Sequence, residues 1–452
     1  MNRLTYDDDL FLRMECVLDV PVVNQIVWQF DSVIAAQDLS SMWHNLAAGP
    51  INRTVRRSRV PGARDAWVRA GEPLPLAIED GLLSRGRLGK WIQDKAEVSL
   101  DPIVGPVWQL AFTTFDDGGC AVSLVASHVV GDGGALTSAA IAALRGPGDP
   151  EDFRSAWDDS GTHDVRDALG QLGHAAAGTA RALGRGIGSA LSRRHSSDEL
   201  SSPVASGVVT TRTGPPSTDA SAAGRFAPST VVVDCPTREW VDAAVAVGGS
   251  ANSLLVAVAL GVLTASGRVD EAEAVKVSLP VSTRVMDDVR ANATSGVSIT
   301  VEGGGGFRSD LGAIRRDSKK AFTTLADTSH RTTFELTKPL MQMLPDAIVA
   351  RAAKSATAPL CLCSNLGDRG VTLRSIGGVL ATSVAMRSIT QNTTAELLRR
   401  TEGGVSVWWN TCGETATLCV TGLDPDRFPD ADHLRKLVAD EYDRWDLTST
   451  FW

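Results

Sequence analysis

The chain has 452 residues, more than one hydrophobic core usually supports, so two domains or a duplicated fold are expected. Hydrophobic residues make up 43% of it and charged residues 21%, which excludes a mainly disordered or fibrous protein. The formal net charge of -9 at pH 7 argues against a protein that wraps nucleic acid phosphates, so we expect no nucleic acid partner.

The start of the chain and its cysteines indicate a compartment. Met1 to Asp9 lacks a basic start followed by an apolar stretch, so no secretory signal is predicted. The seven cysteines are scattered, odd in number and mostly flanked by apolar residues, as reduced core thiols would be. Cys361 and Cys363 have the wrong spacing for a zinc knuckle or a redox pair, and strand alternation places both on one face. We expect a cytoplasmic protein with no metal and no bound cofactor.

The first half of the chain predicts a hairpin that leads into a histidine. Residues 107–115 have the pattern of a strand, 116–119 of a hairpin turn and 120–126 of the returning strand. His128 therefore follows a strand directly. Residues 135–144 predict a short apolar helix that ends near Gly146.

The middle of the chain, residues 155–224, has a different composition. An amphipathic helix is predicted there, because apolar residues recur at steps of three, four or seven: Val165, Leu169, Leu172, Ala176, Leu183, Ile187 and Leu191. Its opposite face is basic, and glycines between Gly173 and Gly188 weaken it by up to about 1 kcal/mol each, so tertiary contacts or a surface must hold it. Residues 195–224 are rich in Ser, Thr, Ala, Gly and Pro, which predicts a mobile linker. We therefore divide the chain into an N-terminal subdomain (1–157), a crossover linker (158–225) and a C-terminal subdomain (226–452).

The second half continues the alternation of strands and helices. Residues 229–234 predict a strand, and helices are expected from about Thr237 and from about Ser250 or Asn252. The apolar stretch from Leu254 to Leu263 is shorter than the roughly 20 residues that a bilayer span needs, so it predicts a buried helix. The fold class is α/β, and no repeat of solenoid length is present.

Chemistry is indicated by His128 together with Asp132 and Gly133. A neutral imidazole can accept a proton from a hydroxyl or an amine near neutral pH. A buried carboxylate is costly unless it is paired, so Asp132 is expected to face a cation. Gly131, Gly133 and Gly134 could adopt positive φ and let a ligand pass close. The alternative is a strand-end histidine whose ring is satisfied by a neighbouring carbonyl.

Five segments carry a family resemblance. The segment from Pro106 to Leu110, then a hairpin, then the segment from Ser127 to Gly133 resembles the "PLW, strand, strand, HHxxxDG" block of bacterial wax ester synthase/diacylglycerol acyltransferases. The remaining segments are similar to that family's "D, FL, E", "xxND, LL", "SN" and "D, PD, L" signatures: residues 8–15, 250–255, 364–365 and 423–430. The histidine motif is the sharpest of these likenesses.

The resemblance places the chain in the larger superfamily that includes chloramphenicol acetyltransferase and the condensation domains of nonribosomal peptide synthesis. It implies two chloramphenicol acetyltransferase-like subdomains in a V, with an active-site tunnel at their junction. It also implies that His128 acts as the general base in a direct transfer without an acyl-enzyme, and that Arg284 pairs with Asp132.

The same resemblance suggests further site residues. Asn292 stands where relatives often carry a Gly-Asn pair, and Ser364 could donate a hydrogen bond to an oxyanion or cap its own turn. Substrate-binding positions are Ser127, Asn292, Ser364, Asn365 and Trp408; Trp408 and Trp409 are tunnel-wall or core residues. Departures from the family are Ser127 in place of the first histidine, Ser253 in place of an aspartate, and no Gly-Pro turn after Asn365, which point away from storage-lipid synthesis and towards secondary metabolism.

The sequence thus predicts an acyltransferase that moves an acyl group from acyl-CoA, or from the phosphopantetheinyl thioester of an acyl carrier protein, to an alcohol. One alternative is a stand-alone condensation enzyme that forms an amide or ester from carrier-bound substrates. Another is a catalytically silent module that binds lipid or a carrier protein. Peripheral membrane contact through residues 165–194 fits the third alternative, because basic amphipathic helices lie on membranes; the competing reading is that this helix packs across the subdomain junction.

Overall fold

The structure is a computed structural model that describes residues 3–146, 161–191, 208–209, 224–285, 288–327, 333–368 and 370–452. The predicted mobile linker, residues 195–224, lies outside the described residues except at positions 208, 209 and 224. The subdomain boundaries at 157 and 225 also fall in or beside undescribed stretches, and they stay predictions.

The helices are α1 (Tyr6–Cys16), α2 (Ala36–Ala48), α3 (Leu88–Ala96), α4 (Gly133–Arg145), α5 (Gly161–Leu191), α6 (Thr237–Ala246), α7 (Ala251–Ala265), α8 (Gly312–Ala326), α9 (Thr333–Gln342), α10 (Asp346–Ala353), α11 (Gly370–Arg374), α12 (Ala395–Thr401) and α13 (Ala431–Arg444). Short 3-10 turns occupy Arg85–Arg87 and Gly306–Arg308.

The strands are β1 (Val22–Phe30), β2 (Arg53–Arg56), β3 (Ala66–Arg69), β4 (Ala77–Leu83), β5 (Trp108–Phe115), β6 (Cys120–Ser127), β7 (Val208–Val209), β8 (Thr230–Pro236), β9 (Val275–Ser282), β10 (Thr294–Val301), β11 (Ala356–Thr357), β12 (Cys361–Asp368), β13 (Ser375–Ile376), β14 (Val379–Leu380), β15 (Ser383–Thr390), β16 (Val405–Cys412), β17 (Thr415–Gly422) and β18 (Thr450–Phe451).

The first sheet has the strand order β15-β1-β6-β5-β4. Strands β1 and β6 are buried along their whole length, and they pair antiparallel with Val23 opposite Ser127. The predicted hairpin of β5 and β6 and the helix after the histidine, α4, are confirmed within two residues. Strand β6 of this hairpin ends at Ser127, the residue before His128.

The second sheet has the order β10-β9-β12-β16-β17-β8-β18. Helix α7 packs against it and is buried from Ser253 to Leu263, so the predicted buried helix is confirmed. A serine capping box starts this helix, because the side chains of Ser250 and Ser253 each accept a hydrogen bond from the other residue's backbone N–H. That contact explains why a serine suffices at position 253.

One strand crosses between the two halves of the sequence. Strand β15 pairs antiparallel with β1, with Arg387 opposite Gln25, although it lies in the second half of the chain. A buried cluster also spans both sheets, where Val27 and Ala121 of the first pack with Val232 and Cys419 of the second. The two halves are therefore joined through a shared strand and a shared core.

The α/β class is confirmed, whereas the V arrangement and the tunnel stay predictions. In the part of the chain that the structure describes, no single helix is long and apolar enough to cross a membrane. Helices α6 and α7, bent by 87° at the break between them, meet that test of length and composition only as a pair.

Candidate active site

The backbone of the histidine loop is fixed on both sides. The N–H of His128 donates to the carbonyl of Val22 at 2.8 Å, which continues the pairing of β6 with β1. The N–H of Val130 closes a turn on the carbonyl of Ser127 at 3.1 Å, and Asn24 Nδ2 donates to the carbonyl of Gly131 at 2.8 Å. The loop that follows the strand thus has little freedom before α4 begins.

Asp132 is the N-cap of α4, and its carboxylate joins the two halves of the chain. Its Oδ1 accepts from the backbone N–H of Ala135 at 2.8 Å, which is the usual capping contact. The same oxygen accepts from Arg284 Nη2 at 2.8 Å, so the predicted ion pair is present. Its Oδ2 accepts from the Ala293 N–H at 2.8 Å and from Thr294 Oγ1 at 2.9 Å. Burial acts to raise the pKa of Asp132, but the arginine and these donors outweigh it and the pKa is lowered.

Arg284 is held in turn by the loop in which it lies. It follows β9 by two residues, at the strand-to-loop edge that the sequence predicts. Its guanidinium donates to the carbonyls of Asp288, Arg290 and Ala291. Arg284 therefore joins its own loop to the start of α4, and we call its ion pair with Asp132 the latch. The side chain is largely buried, unlike that of a free surface arginine.

The ring of His128 is buried and stacked. Its side chain lies against Phe11 with ring centroids 3.6 Å apart and an interplanar angle of 18°. His128 is 6% exposed, and its Nδ1 has no hydrogen-bond partner among the described residues. Burial lowers the pKa of His128 to about 4, although the charge of Asp132 acts in the opposite direction. The imidazole is therefore neutral at pH 7, and its burial makes it a weaker base than a solvated imidazole.

Asn292 links the backbone of the histidine loop to Asp8 on α1. Its backbone N–H and its Nδ2 both donate to Asp8 Oδ1 at 2.9 Å, and Nδ2 also approaches the carbonyls of His128 and Val129 at 3.1 and 3.2 Å. Asn292 is thus brought to the site, where its amide holds the loop backbone. Its Oδ1 is buried without a partner among the described residues.

Two charged residues contact the same loop region: Asp8 lies in a segment that the resemblance singles out, whereas Arg53 carries no signal in the sequence. Asp8 on α1 is 1% exposed, and burial raises its pKa despite the hydrogen bonds from Thr5 and Asn292. Arg53 on β2 donates to the carbonyls of Val130 and Val289, and burial lowers its pKa to about 10. Asp8 belongs to the N-terminal signature, but its sequence separation of 284 residues from Asn292 hides the contact.

Ser127 lies on the other side of the histidine loop. Its Oγ accepts from the Val129 N–H at 3.3 Å and lies 3.4 Å from Glu15 Oε2. Burial, followed by the charge of Asp101, raises the pKa of Glu15 to about 7. The serine that replaces a family histidine therefore caps the turn and contacts an acid on α1.

Two side chains of the second sheet lie next to the start of α4. A Cβ added at Gly133 would lie 3.7 Å from the side chains of Leu366 and Trp408, so these two residues border the start of α4. Trp408 is half-buried, whereas Trp409 is buried in the core against Trp240, with ring centroids 5.6 Å apart. Trp408 thus belongs to the site and Trp409 to the core.

The predicted pair Ser364 and Asn365 lies on β12. Ser364 is buried and stands opposite Trp408 in the strand register. Asn365 Oδ1 accepts from the Gly367 N–H at 2.8 Å, and its Nδ2 lies 3.4 Å from Asn252 Oδ1. A bulge with Gly367 at φ +67° stands where relatives have a Gly-Pro turn.

The glycines of the motif do not use positive φ, contrary to the prediction for Gly131, Gly133 and Gly134. Gly131 and Gly134 are needed for space instead, whereas Gly133 has room for a Cβ. A Cβ at Gly134 would lie 3.2 Å from Arg284 Nε, and one at Gly131 would lie 3.1 Å from the Ala135 side chain. The small residues let the arginine latch close on the helix.

The cysteine pair of β12, possible metal ligands and the surface clefts were also compared with the site. Cys361 and Cys363 have their sulfurs 3.8 Å apart, which confirms that both side chains share one face of β12. Among the described residues, no three His, Cys, Asp or Glu side chains gather as a metal site would require. Two surface clefts flank α2, and one of about 430 Å³ is lined by residues that include Asp38 and Arg145. His128 is not among the residues that line these two clefts.

Comparison with known proteins identifies the fold. No protein-family model matches the sequence, and no match was found among curated proteins. Solved structures do match over nearly their whole length. The first condensation domain of the calcium-dependent antibiotic synthetase, in complex with a substrate analogue, is 15% identical with a TM-score of 0.57, over 99% of both chains.

Two acyltransferases are also similar. The trichothecene 15-O-acetyltransferase from Fusarium sporotrichioides is 11% identical with a TM-score of 0.58, over 98% of this chain and 94% of that one. The wax ester synthase/diacylglycerol acyltransferase from Marinobacter aquaeolei is 12% identical with a TM-score of 0.52, over 99% of this chain and 100% of that one. The chain therefore has the fold of this condensation domain and these acyltransferases, as the sequence predicts.

Proposed function

We propose that the chain is an acyltransferase that moves an acyl group from a thioester to an alcohol, with His128 as the general base. The observation that carries this proposal is a buried, neutral imidazole whose loop is clamped by groups from both halves of the chain. The buried Nδ1 without a hydrogen-bond partner among the described residues supports a role as proton acceptor. The fold, shared with proteins named as acyltransferases, supports the same reading.

In the proposed reaction one proton passes from the acceptor hydroxyl to His128 and then to the leaving thiolate. The imidazole of His128 accepts the proton of the acceptor hydroxyl, whose oxygen attacks the thioester carbonyl carbon. The tetrahedral oxyanion then collapses, the carbon–sulfur bond breaks, and the leaving thiolate takes the proton back from the imidazolium. The products are an ester and a free thiol. A donor from Ser364 or a backbone N–H would lower the barrier by stabilising the oxyanion.

In this proposal Asp132 and Arg284 hold the backbone around His128 in place and take no part in proton transfer. Their ion pair fixes the start of α4 and the loop after β9, and so it fixes the backbone on which the histidine stands. Asp132 uses both of its oxygens for Arg284, Ala135, Ala293 and Thr294, so it is occupied with structure and takes no proton in the reaction. We assign catalysis to His128 and positioning to the ion pair.

The test is transfer by the purified full chain from acyl-CoA thioesters of increasing length, and from the same acyl groups on a carrier protein, to a panel of alcohols. Product ester is measured by mass spectrometry. We expect His128→Asn to lower kcat at least about a hundredfold, because general base catalysis contributes that much or more. His433→Ala, at an exposed histidine on α13, is the matched control and should keep full rate. Full activity of a folded His128→Asn variant would refute the proposal.

A second candidate is a stand-alone condensation enzyme that joins a carrier-bound acyl group to an amine or an alcohol. It is supported by the similarity to the antibiotic synthetase condensation domain, whose TM-score of 0.57 is level with the 0.58 of the trichothecene acetyltransferase. The same assay with amines added to the acceptor panel separates the two, since transfer only from carrier-loaded donors, to an amine or an alcohol, identifies condensation. A wild-type chain that binds the thioesters and transfers to neither acceptor would be the silent binding module.

A further inference from the structure

One face of α1 lies along the histidine loop. Asp8, Phe11 and Glu15 follow each other at steps of three and four residues, so they share one side of the helix. Asp8 binds the asparagine amide that holds this loop, and Phe11 stacks on the ring of His128. Glu15 Oε2 lies 3.4 Å from Oγ of Ser127, the residue before that histidine. The helix face that covers the proposed base thus also places Glu15 beside it.

The carboxylate of Glu15 has no cation to balance it. Among the described residues, no side-chain nitrogen of Lys, Arg or His lies within 4.0 Å of it, and no basic group contributes to its pKa. The charge that acts on it is that of Asp101, a second carboxylate, which repels it. The hydroxyl of Ser127 is the group that shares a hydrogen bond with it. An ionised Glu15 is therefore left with one neutral donor.

The electrostatic potential around Glu15 is negative from other sources too. Asp101 uses its Oδ1 to accept from the backbone N–H groups of Ile103 and Val104, at 2.7 and 3.0 Å. In the part of the chain that the structure describes, it has no basic side chain within 4.0 Å either. Glu15 also lies in the last turn of α1, where the carbonyl end of a helix favours a cation. Both acids are half-buried, so the position is reachable from solvent.

The contact with Ser127 does not explain why residue 15 is an acid. A glutamine there would offer the same carbonyl oxygen to the hydroxyl and would remove the repulsion by Asp101. A second, independent observation lies one residue along the chain, where Nδ1 of His128 is buried without a partner among the described residues. A molecule that carries both a hydroxyl and an ammonium group matches these two positions, since imidazole accepts from the first and carboxylate from the second.

We propose that the acceptor alcohol carries a protonated amine, and that Glu15 binds this ammonium group while the hydroxyl lies at His128. The inference rests on the proposed function, because it names the acceptor of that reaction. An amine held as ammonium has no lone pair and is no nucleophile, so the hydroxyl is acylated and the product is the ester of an amino alcohol. Glu15 determines specificity here and takes no proton in the transfer.

The charge of Glu15 makes this binding depend on pH. Burial and then Asp101 raise its pKa to about 7, so Glu15 gains its charge between about pH 6 and pH 8. The other ionisable group of α1 beside it is Cys16, whose pKa burial raises, and His128 stays neutral because its pKa is lowered to about 4. Alkyl ammonium groups titrate near 10, as lysine does. Affinity for an amino alcohol should therefore rise from pH 6 to pH 8.

The test is binding of linear amino alcohols of increasing length to the full chain, each compared with the diol of the same length. Saturation-transfer NMR titrations give the dissociation constants, and no thioester is present, so no transfer reaction is needed. At pH 8 we expect an amino alcohol to bind at least about tenfold tighter than its diol, because a charge-assisted hydrogen bond contributes that much. Glu15→Gln should lower this ratio at least about tenfold and abolish its pH dependence.

Two further variants separate the charge of Glu15 from general effects. Asp101→Asn keeps the oxygen that caps its turn and removes the second negative charge, so it should lower the ratio by a smaller factor than Glu15→Gln. Glu414→Gln, at an exposed glutamate in the turn between β16 and β17, is the matched control and should leave the ratio unchanged. Circular dichroism checks that each variant is folded.

Equal affinities of amino alcohol and diol at every length would overturn the proposal, and so would an unchanged ratio in folded Glu15→Gln. The transfer assay is read separately from this result. Ester formation from diols, with no preference for amino alcohols in binding, rejects the ammonium site and keeps the acyltransferase. A preference in binding that depends on Glu15, with no transfer from any thioester, keeps the ammonium site and rejects the acyltransferase.

Discussion

The ion pair of Asp132 and Arg284 gives the sharpest test of how the site is assembled. The Asp132 side chain is 6% exposed and accepts four hydrogen bonds, of 2.8 to 2.9 Å, from Arg284 Nη2, two backbone N–H groups and a threonine hydroxyl. Removing one partner of a buried pair leaves an uncompensated charge, at a cost of about 3 to 5 kcal/mol. We therefore expect Asp132→Ala to lower the free energy of unfolding by that amount.

Conservative replacement separates the cap from the charge. Asp132→Asn keeps a good N-cap residue for α4 but loses the charge, so it should cost clearly less than Asp132→Ala. Arg284→Ala leaves the carboxylate with its three other donors and should cost about 2 to 3 kcal/mol. In the double variant the two losses should not add, with a coupling of about 1 to 3 kcal/mol.

Urea unfolding, followed by circular dichroism and by tryptophan fluorescence, measures these differences. An exposed pair of similar geometry, Arg399 and Asp426 at 2.7 Å, is the control, and its coupling should be much weaker because solvent screens it. A coupling below about 0.5 kcal/mol for Asp132 and Arg284 would refute the latch. Equal losses for Asp132→Asn and Asp132→Ala would assign the stabilisation to the charge of Asp132 and not to its capping of α4.

Three further outcomes are expected from the contacts of His128 and Asn292. Because burial lowers the pKa of His128 to about 4, the acid limb of kcat/KM against pH should fall well below the ordinary value of 6.5; a limb at 6.5 would mean that the ring is solvated in the working enzyme. The folded pKa lies below the unfolded one, so the contribution of His128 to stability should be lost as pH falls from about 6.5 towards 4, and this part of the pH dependence of unfolding should be absent in His128→Asn. Asn292→Ala removes the amide that holds Asp8 and the His128 carbonyl, and we expect it to cost about 2 to 4 kcal/mol in urea unfolding and to lower kcat more than it changes KM; unchanged stability would show that the clamp is dispensable.

Local patterns in the sequence predicted the elements around the histidine. Alternation and turn residues predict β5, β6 and α4, and the cost of a buried carboxylate predicts that Asp132 faces a cation. The resemblance supplied Arg284 as that cation. What local patterns do not contain is the partner across the fold, such as Asp8 for Asn292 or β1 for β15, because these contacts join residues hundreds of positions apart.

Helix α5 shows a different limit of sequence reasoning. Periodicity correctly predicts the helix and the line of Val165, Leu169 and Leu172. It does not show which line faces the protein, and the natural expectation that apolar residues pack inwards is wrong here. The deciding contacts are Asp164 with Arg3 and Gly178 with Leu336, and neither can be read from the helix alone.

The contacts around His128 also indicate where the site can open. On the side of the second half, Arg284 and Asn292 hold the loop by hydrogen bonds that connect charged and backbone groups, and such contacts are costly to break when buried. On the side of α1, the ring face is covered by stacking on Phe11, a residue of the first half's buried hydrophobic cluster. Stacked rings separate at a lower cost, roughly 0.5 to 1.5 kcal/mol beyond the area that they expose. Access of a substrate to the imidazole should therefore come from a rotation of Phe11 or a shift of α1, with the latch unchanged.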